Sequence, residues 1–414
     1  MSVTHTISAM GASGDGVAET EKGRVFVPFS LPGERVNLAI IGNRADMTAL
    51  LAPSPERVEP ACPHFTACGG CALQHWQADA YRAWKRGLVA DVLAAQGITA
   101  PIADLIVSPP GSRRRAVFSA QMMRDGLAFG FRRAMSHAVE PITHCPVTAE
   151  TITGRLEALK ALALRIAPLA KGAFHMTVTA TSAGLDIRAD DVRSPDDAQR
   201  RGLVQAVLAS RFARLSLRDE VIITAEEPQV LFDGIAVTPP PGGFLQATTE
   251  AETAMLAIVG GYLDGARRVA DLFSGSGTFA LPLARRSTVH AVEADAAALA
   301  SLDRAARHAV SAGARLKPVT VEKRDLFMRP LTTKELGAYD AVVIDPPRAG
   351  AEAQMAQLAK SSVKRIAAVS CNPVTLVRDL KILMAGGYGL LSVTPLDQFL
   401  FTPHVEAVAL LAKR

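Results

Sequence analysis

The residues of this 414-residue chain with the most distinctive chemistry are its five cysteines, which fall into two sets. Cys62, Cys68, Cys71 and Cys145 have ligand-like spacing, a Cys-x5-Cys-x2-Cys run followed by a distant Cys-Pro. Four thiols can hold zinc or an iron–sulfur cluster, but an all-cysteine zinc site usually carries two separate Cys-x2-Cys knuckles and this chain has one. Cys371 stands apart, at the end of the apolar run Arg365-Ile-Ala-Ala-Val-Ser and before Asn372-Pro373. A strand there would deliver a thiol to a sheet edge; the bland alternative is a small buried hydrophobe.

Three more apolar runs end in polar groups of similar kind. Val269-Ala-Asp271-Leu-Phe273-Ser-Gly275-Ser-Gly277 leads from a strand into a glycine turn, where the backbone can approach a ligand. Twenty-two residues after Asp271, the run Val289–Glu293 ends in an acid placed to hold ribose hydroxyls. A dinucleotide loop would read Gly-x-Gly-x-x-Gly; the missing third glycine favours a nucleoside cofactor such as S-adenosylmethionine. In Ala341-Val-Val-Ile-Asp345-Pro-Pro-Arg348 the prolines cannot continue a ladder, so they turn the chain out with Asp345 beside the crevice.

These ends need a frame. Residues 1–57 read as a small all-β unit punctuated by Gly11, Gly14, Gly16 and Gly23, and Pro53, Pro55 and Pro60 mark a linker after it. Residues 58–245 read as α+β, with a helix from about Ala78 to Gln96 and a hairpin at Asp125-Gly126. Residues 246–414 alternate strand and helix as a parallel α/β sheet does, after a boundary at Pro239–Gly243.

Hydrophobic residues make up 49% of the chain and charged ones 21%, with no run near the ~18 apolar residues of a membrane span. Met1–Met10 has no basic stretch followed by an apolar core, so a cytoplasmic protein is expected, and a monomer is expected as well. A net charge of +5 says little about partners, but Tyr81–Met135 carries nine basic residues against three acidic ones. With Phe118, Phe129 and Phe131 interleaved, that window is either a phosphate-neutralising surface with rings for bases to stack on, or an Arg-rich face with its rings in the core.

Taken together, Asp-Leu-Phe-Ser-Gly-Ser-Gly, Asp345-Pro-Pro-Arg, Ser-Cys371-Asn-Pro and Asp397-Gln-Phe-Leu-Phe-Thr-Pro-His-Val-Glu406 resemble the RNA uridine-C5 methyltransferase family. The resemblance implies a class I, Rossmann-like S-adenosylmethionine-dependent domain in which Cys371 adds to carbon 6 of uracil and Glu406 removes the proton from carbon 5. It implies cofactor contacts at Gln246, Phe273, Glu293, Asp325 and Asp345. Thr278 stands where relatives often have Asn, and Leu400 and Phe401 depart from the commoner wording of the last motif. The four remaining cysteines resemble those of the subfamily with a [4Fe–4S] cluster, here structural or RNA-ordering, since methyl transfer moves no electrons. Ser13–Ala18 and Pro32-Gly-Glu34 resemble the TRAM domain, an OB-like RNA-binding barrel. Barrel, cluster and catalytic domain together imply an enzyme of 23S ribosomal RNA. The alternatives are a transfer-RNA T-loop enzyme, a non-catalytic RNA-binding or assembly factor, and a redox protein.

Overall fold

The computed structural model describes residues 3–414; Met1 and Ser2, where the stretch lacking an export signal begins, lie outside it. Val3–Met10, Gly16–Thr20, Gly23–Val27, Arg35–Ile41 and Arg44–Ala52 close into a five-stranded barrel around Ile7, Val25, Val27, Val36 and Leu38. Gly16 permits the closure, since a Cβ there would stand 2.2 Å from Ser30 Oγ and 2.8 Å from Ile7.

The proline-rich stretch after the barrel, expected to be a linker, is a packed seam. Glu34, fully buried, accepts from both Nε and Nη2 of Arg57 at 2.5 and 2.8 Å, and Trp76 Nε1 donates to Glu56 Oε2 at 2.8 Å. Prolines exclude a hydrogen-bonded ladder, but they leave neighbouring side chains free to anchor the chain.

Seven strands form the central sheet, in the order Glu220–Thr224, Arg214–Leu217, Gly184–Val192, Ala170–Thr181, Arg115–Met123, Gly126–Arg132, Val139–Pro141. The hairpin turns at Asp125-Gly126 as its residues require. Helices Leu156–Ile166 and Asp197–Ala209 pack on this sheet, the second opened by a capping box between Asp196 and Gln199. Phe118 and Phe129 are buried in this core, with Phe118 stacked on Phe129 and Phe131 at centroid distances of 5.0 and 4.9 Å. Of the two readings of these rings, the core one therefore holds for Phe118 and Phe129, which fill the space between sheet and helices. The basic window is not one surface either. Lys85 and Arg114 are buried in ion pairs with Asp397 and Glu252, Arg86, Arg113 and Arg115 are half-buried, and Arg82, Arg124, Arg132 and Arg133 are exposed.

The third sheet has eight strands in the order Val319–Lys323, Thr288–Glu293, Arg268–Leu272, Ala341–Ile344, Arg365–Ser370, Glu406–Lys413, Tyr388–Asp397, Ile106–Val107. The first five are parallel, and Glu406–Lys413 runs antiparallel to both of its neighbours. Strand order reverses between Arg268–Leu272 and Ala341–Ile344, and the crevice at such a switch point is where α/β sheets take ligands. This core reaches upstream of residue 246. The hairpin Val230–Val237 packs on Leu281, Ala305 and Ala306, and Val89 and Leu93 of helix Ala78–Ala95 join Leu376, Leu380 and Leu383. The Pro239–Gly243 turn lies between cores yet is pinned, because Arg214, Arg188 and Arg115 donate to the carbonyls of Pro239, Pro241 and Gly242.

Helix Ala78–Ala95 also holds the last loop. Lys85 Nζ pairs with Asp397 Oδ1 and donates to Phe399 O, while Tyr81 OH donates to Asp397 Oδ2 at 2.6 Å and accepts from Phe401 N. Lys85 and Asp397 have no exposed surface, so removing one partner leaves the other charge buried alone. Lys85→Met is expected to cost about 3–5 kcal/mol of stability by denaturant titration. Lys85→Met with Asp397→Asn should recover much of that, and equal losses in the single and double variants would contradict the pairing.

Candidate active site

The carboxyl ends of the parallel strands open on a cleft of about 500 Å³. Gln246, Phe273, Glu293, Asp345, Cys371 and Glu406 line it; of the residues expected there, only Asp325 does not. Asp325 Oδ1 instead accepts from the N–H groups of Phe327 and Met328 at 2.9 and 3.3 Å, fixing a turn whose Phe327 ring lies 5.3 Å from that of Phe273. Cys371 and Glu406 meet because of register. Ser370 pairs with Ala407, so the next antiparallel pair would be Cys371 opposite Glu406, on the same face of the sheet.

The glycine loop is shaped for close approach. Phe273 has φ 62°, a strained conformation for an aromatic residue, held by N–H bonds from Phe273 and Ser274 to Val292 O at 3.0 and 3.2 Å. Gly275, at φ 53°, has nothing within 4 Å of where a Cβ would stand, while a Cβ at Gly277 would meet Leu302 at 2.9 Å. Gly275 N–H donates to Glu293 Oε2 at 2.9 Å, tying the loop to the end of the next strand. Beneath the loop Asp271 is fully buried with both carboxyl oxygens unpartnered. Open space at Gly275 leaves room for a ligand to approach the loop backbone. Thr278 lines the same cleft.

Gln398 escaped the sequence reading, although it stands inside the last motif. Its Oε1 accepts from Ala247 N at 2.8 Å, and its Nε2 donates to Glu406 Oε2 and to Gln246 Oε1, each at 2.8 Å. Gln246 Nε2 in turn donates to Asp345 Oδ2 at 2.9 Å. Two amides thus join two carboxyl groups. Arg113, Arg115 and Phe399 also line the cleft, and no sequence signal distinguished them from other basic or aromatic residues nearby.

The electrostatics oppose ionisation. Burial pushes Glu406 up, helped by the charge of Asp345, and burial likewise raises Asp345 and Asp271. Cys371 is pushed up to about 11, by burial first and then by Glu406 and Asp345.

A second cavity, of about 190 Å³, is lined by Cys62, Cys68, Cys71 and Cys145, with Arg113 shared between it and the cleft. Burial, aided by the neighbouring thiols, raises Cys62 and Cys68, and pushes Cys71 up to about 12. Among the described residues, no three Cys, His, Asp or Glu side chains converge closely enough to bind a single metal ion. The expected iron–sulfur cluster thus has its four thiols around one cavity, without a ready-made ion site.

Residues 235–414 match the family model described as tRNA (Uracil-5-)-methyltransferase. A Brucella suis protein described as an RNA methyltransferase is 53% identical over 408 residues, covering 99% of this chain and 97% of its own. The 23S rRNA (uracil(1939)-C(5))-methyltransferase RlmD of Pectobacterium atrosepticum is 32% identical over 99% of this chain and 93% of its own. Among solved structures, the Pyrococcus abyssi tRNA (uracil-54, C5)-methyltransferase in complex with S-adenosyl-L-homocysteine superposes with a TM-score of 0.75 at 23% identity, over 99% of this chain and 100% of its own. That likeness carries the fold.

The raised carboxyl of Glu406 has a consequence for stability. Its neutral form suits the folded state, so its contribution is complete below the ordinary value of 4.5 and is lost as pH rises through the raised folded value. Glu406→Gln removes the titration, so its melting temperature relative to the parent should climb as pH rises. A pH-independent difference would show that the carboxyl is hydrated.

Proposed function

Since the chain belongs to the S-adenosylmethionine-dependent RNA uracil-C5 methyltransferases, we propose that its substrate is a uridine of 23S ribosomal RNA and that Cys371 and Glu406 carry the reaction. The register that sets thiol against carboxyl in one cleft supports the residue assignment. The choice of RNA rests on the resemblance to RlmD along nearly the whole chain.

Carbon 5 of uracil is a poor nucleophile, and the thiolate of Cys371 adding at carbon 6 turns the ring into an enolate. S-adenosylmethionine supplies a methyl group on a positively charged sulfur. Carbon 5 would take the methyl as its bond to sulfur breaks and S-adenosylhomocysteine leaves, and would then carry both methyl and hydrogen. Glu406 accepts that proton, the 5,6 double bond re-forms, and the carbon–sulfur bond breaks to return the Cys371 thiolate. Cys371 is held up by burial first and then by Glu406 and Asp345, so positive charge brought into the cleft would favour its ionisation. Glu293, Phe273, Gln246 and Asp345 hold the cofactor, together with Asp325 beside the Phe327 turn. The target base has to leave its stack to reach Cys371.

We read Cys62, Cys68, Cys71 and Cys145 as ligands of a structural [4Fe–4S] cluster, and the barrel as a TRAM module that binds RNA. What supports the reading is that all four cysteines line one cavity. Protein purified without air should then be brown and contain iron and sulfide; stoichiometric zinc with no iron would overturn this assignment.

Mapping 5-methyluridine in ribosomal and transfer RNA from cells with and without the protein tests the substrate. The methyl group is expected to disappear from 23S RNA and to return with the parent protein but not with Cys371→Ala. Its disappearance from transfer RNA alone would move the substrate. Glu406→Gln should turn over ~10²–10⁴-fold more slowly and accumulate a covalent RNA–protein complex that already carries the methyl group. Normal turnover in this variant would remove Glu406 from the role.

A further inference from the structure

Gln398 follows the anchored Asp397 and belongs to the loop that leads into Glu406–Lys413. It is buried, lines the cleft, and has every polar atom engaged. Its orientation admits no ambiguity, because Ala247 N–H can only donate and so demands the amide oxygen. The amide nitrogen must then face Glu406 and Gln246, and both have to accept. Glu406 Oε2 is therefore committed as an acceptor, and no hydrogen bond among the described residues engages Oε1.

We propose that Gln398 is a positioning residue of the methyl transfer reaction: it holds Glu406 by Oε2, so that Oε1 alone is presented to the carbon 5 proton. The inference rests on Glu406 being the base. Directionality supports it. A carboxyl group with two equivalent free oxygens could turn away or share its proton with Asp345, whereas one fixed by an N–H donor keeps a single basic oxygen toward the cleft. The same donor favours the ionised form, opposing the burial and the Asp345 charge that disfavour it. Gln246, on the other hydrogen of the same NH2 group, is spaced from Glu406 by this one amide and donates onward to Asp345.

Two substitutions separate this role from packing. Gln398→Met is close in length but offers no donor. Gln398→Glu keeps an oxygen for Ala247 N and adds a like charge beside Glu406. The readout is the pH profile of single-turnover breakdown of the covalent adduct, with KM for RNA and cofactor and melting temperature measured alongside. Loss of the donor should move the ascending limb to higher pH by about one unit, a ~10-fold loss at neutral pH that is recovered in alkali, while KM stays within about twofold. Gln398→Glu should shift the limb further. Unchanged profiles in two folded variants, or a rise in KM with no shift, would overturn the positioning role. If Glu406→Gln itself breaks down the adduct at the parent rate, the failure lies with the base assignment.

Discussion

The antiparallel pairing of Glu406–Lys413 with Arg365–Ser370 is the constraint on which the site depends, because the register that pairs Ser370 with Ala407 brings Cys371 and Glu406 to adjacent strand ends. In a sheet a slip of one residue sends every side chain to the other face, so this strand has no tolerance in register. Burial enforces the pairing: Ala407, Val408, Ala409 and Leu411 are all in the core. The loop ahead of the strand is held from two sides. Helix Ala78–Ala95 grips Asp397 through Lys85 and Tyr81, and the backbone N–H groups of Ala72 and Leu73, directly after Cys71, donate to Phe401 O at 2.8 and 3.1 Å. Phe401 sits at φ 61°, an uncommon conformation that these bonds help to hold. The segment bearing the cysteines and the loop leading to Glu406 are thus parts of one packed unit, joined by the cluster of Leu31, Leu73, Trp76, Tyr81, Val147 and Leu400.

Acids accumulate at the opposite end of stability from such packing. Asp271, Asp345 and Glu406 are withdrawn from water at one sheet edge, and amide bonds rather than cations partner the last two. An arginine in their place would hold both carboxylates far below the usual range and make them weaker bases. Glutamines steer the carboxyl groups while leaving them titratable, and among the described residues the cationic side chains of the cleft, Arg113, Arg115 and Arg348, form no ion pairs with them.

Much of this was legible because strand ends and glycine turns are local. Asp271, Glu293, Asp345 and Cys371 each follow an apolar run, and the parallel sheet brings such ends to one edge whatever the rest of the chain does. Residues whose placement depends on distant partners were harder to read. Gln398 acts through Ala247 and Gln246, about 150 positions earlier, and its type alone carries no periodicity or spacing. The Arg-rich window stayed open between two readings for a related reason: a count of charge does not distinguish Lys85 and Arg114, buried in ion pairs, from Arg132 and Arg133 at the surface. Phe118 and Phe129 likewise fill the central core, and nothing in a strand's sequence says whether a ring faces a helix or a base. The Pro53–Pro60 stretch shows that punctuation marks where ladders stop, not where packing stops.

A covalent bond between Cys371 and the pyrimidine ring is the claim from which the rest follows, and trapping it is the most direct measurement. RNA carrying 5-fluorouridine at the target position gives a ring that can accept the thiolate and the methyl group, but carbon 5 then bears fluorine instead of a removable proton. Mass spectrometry of the digested complex should find Cys371 bonded to a pyrimidine that holds both fluorine and the transferred methyl group. Methylated RNA released without any adduct, or an adduct on a different residue, would contradict the account.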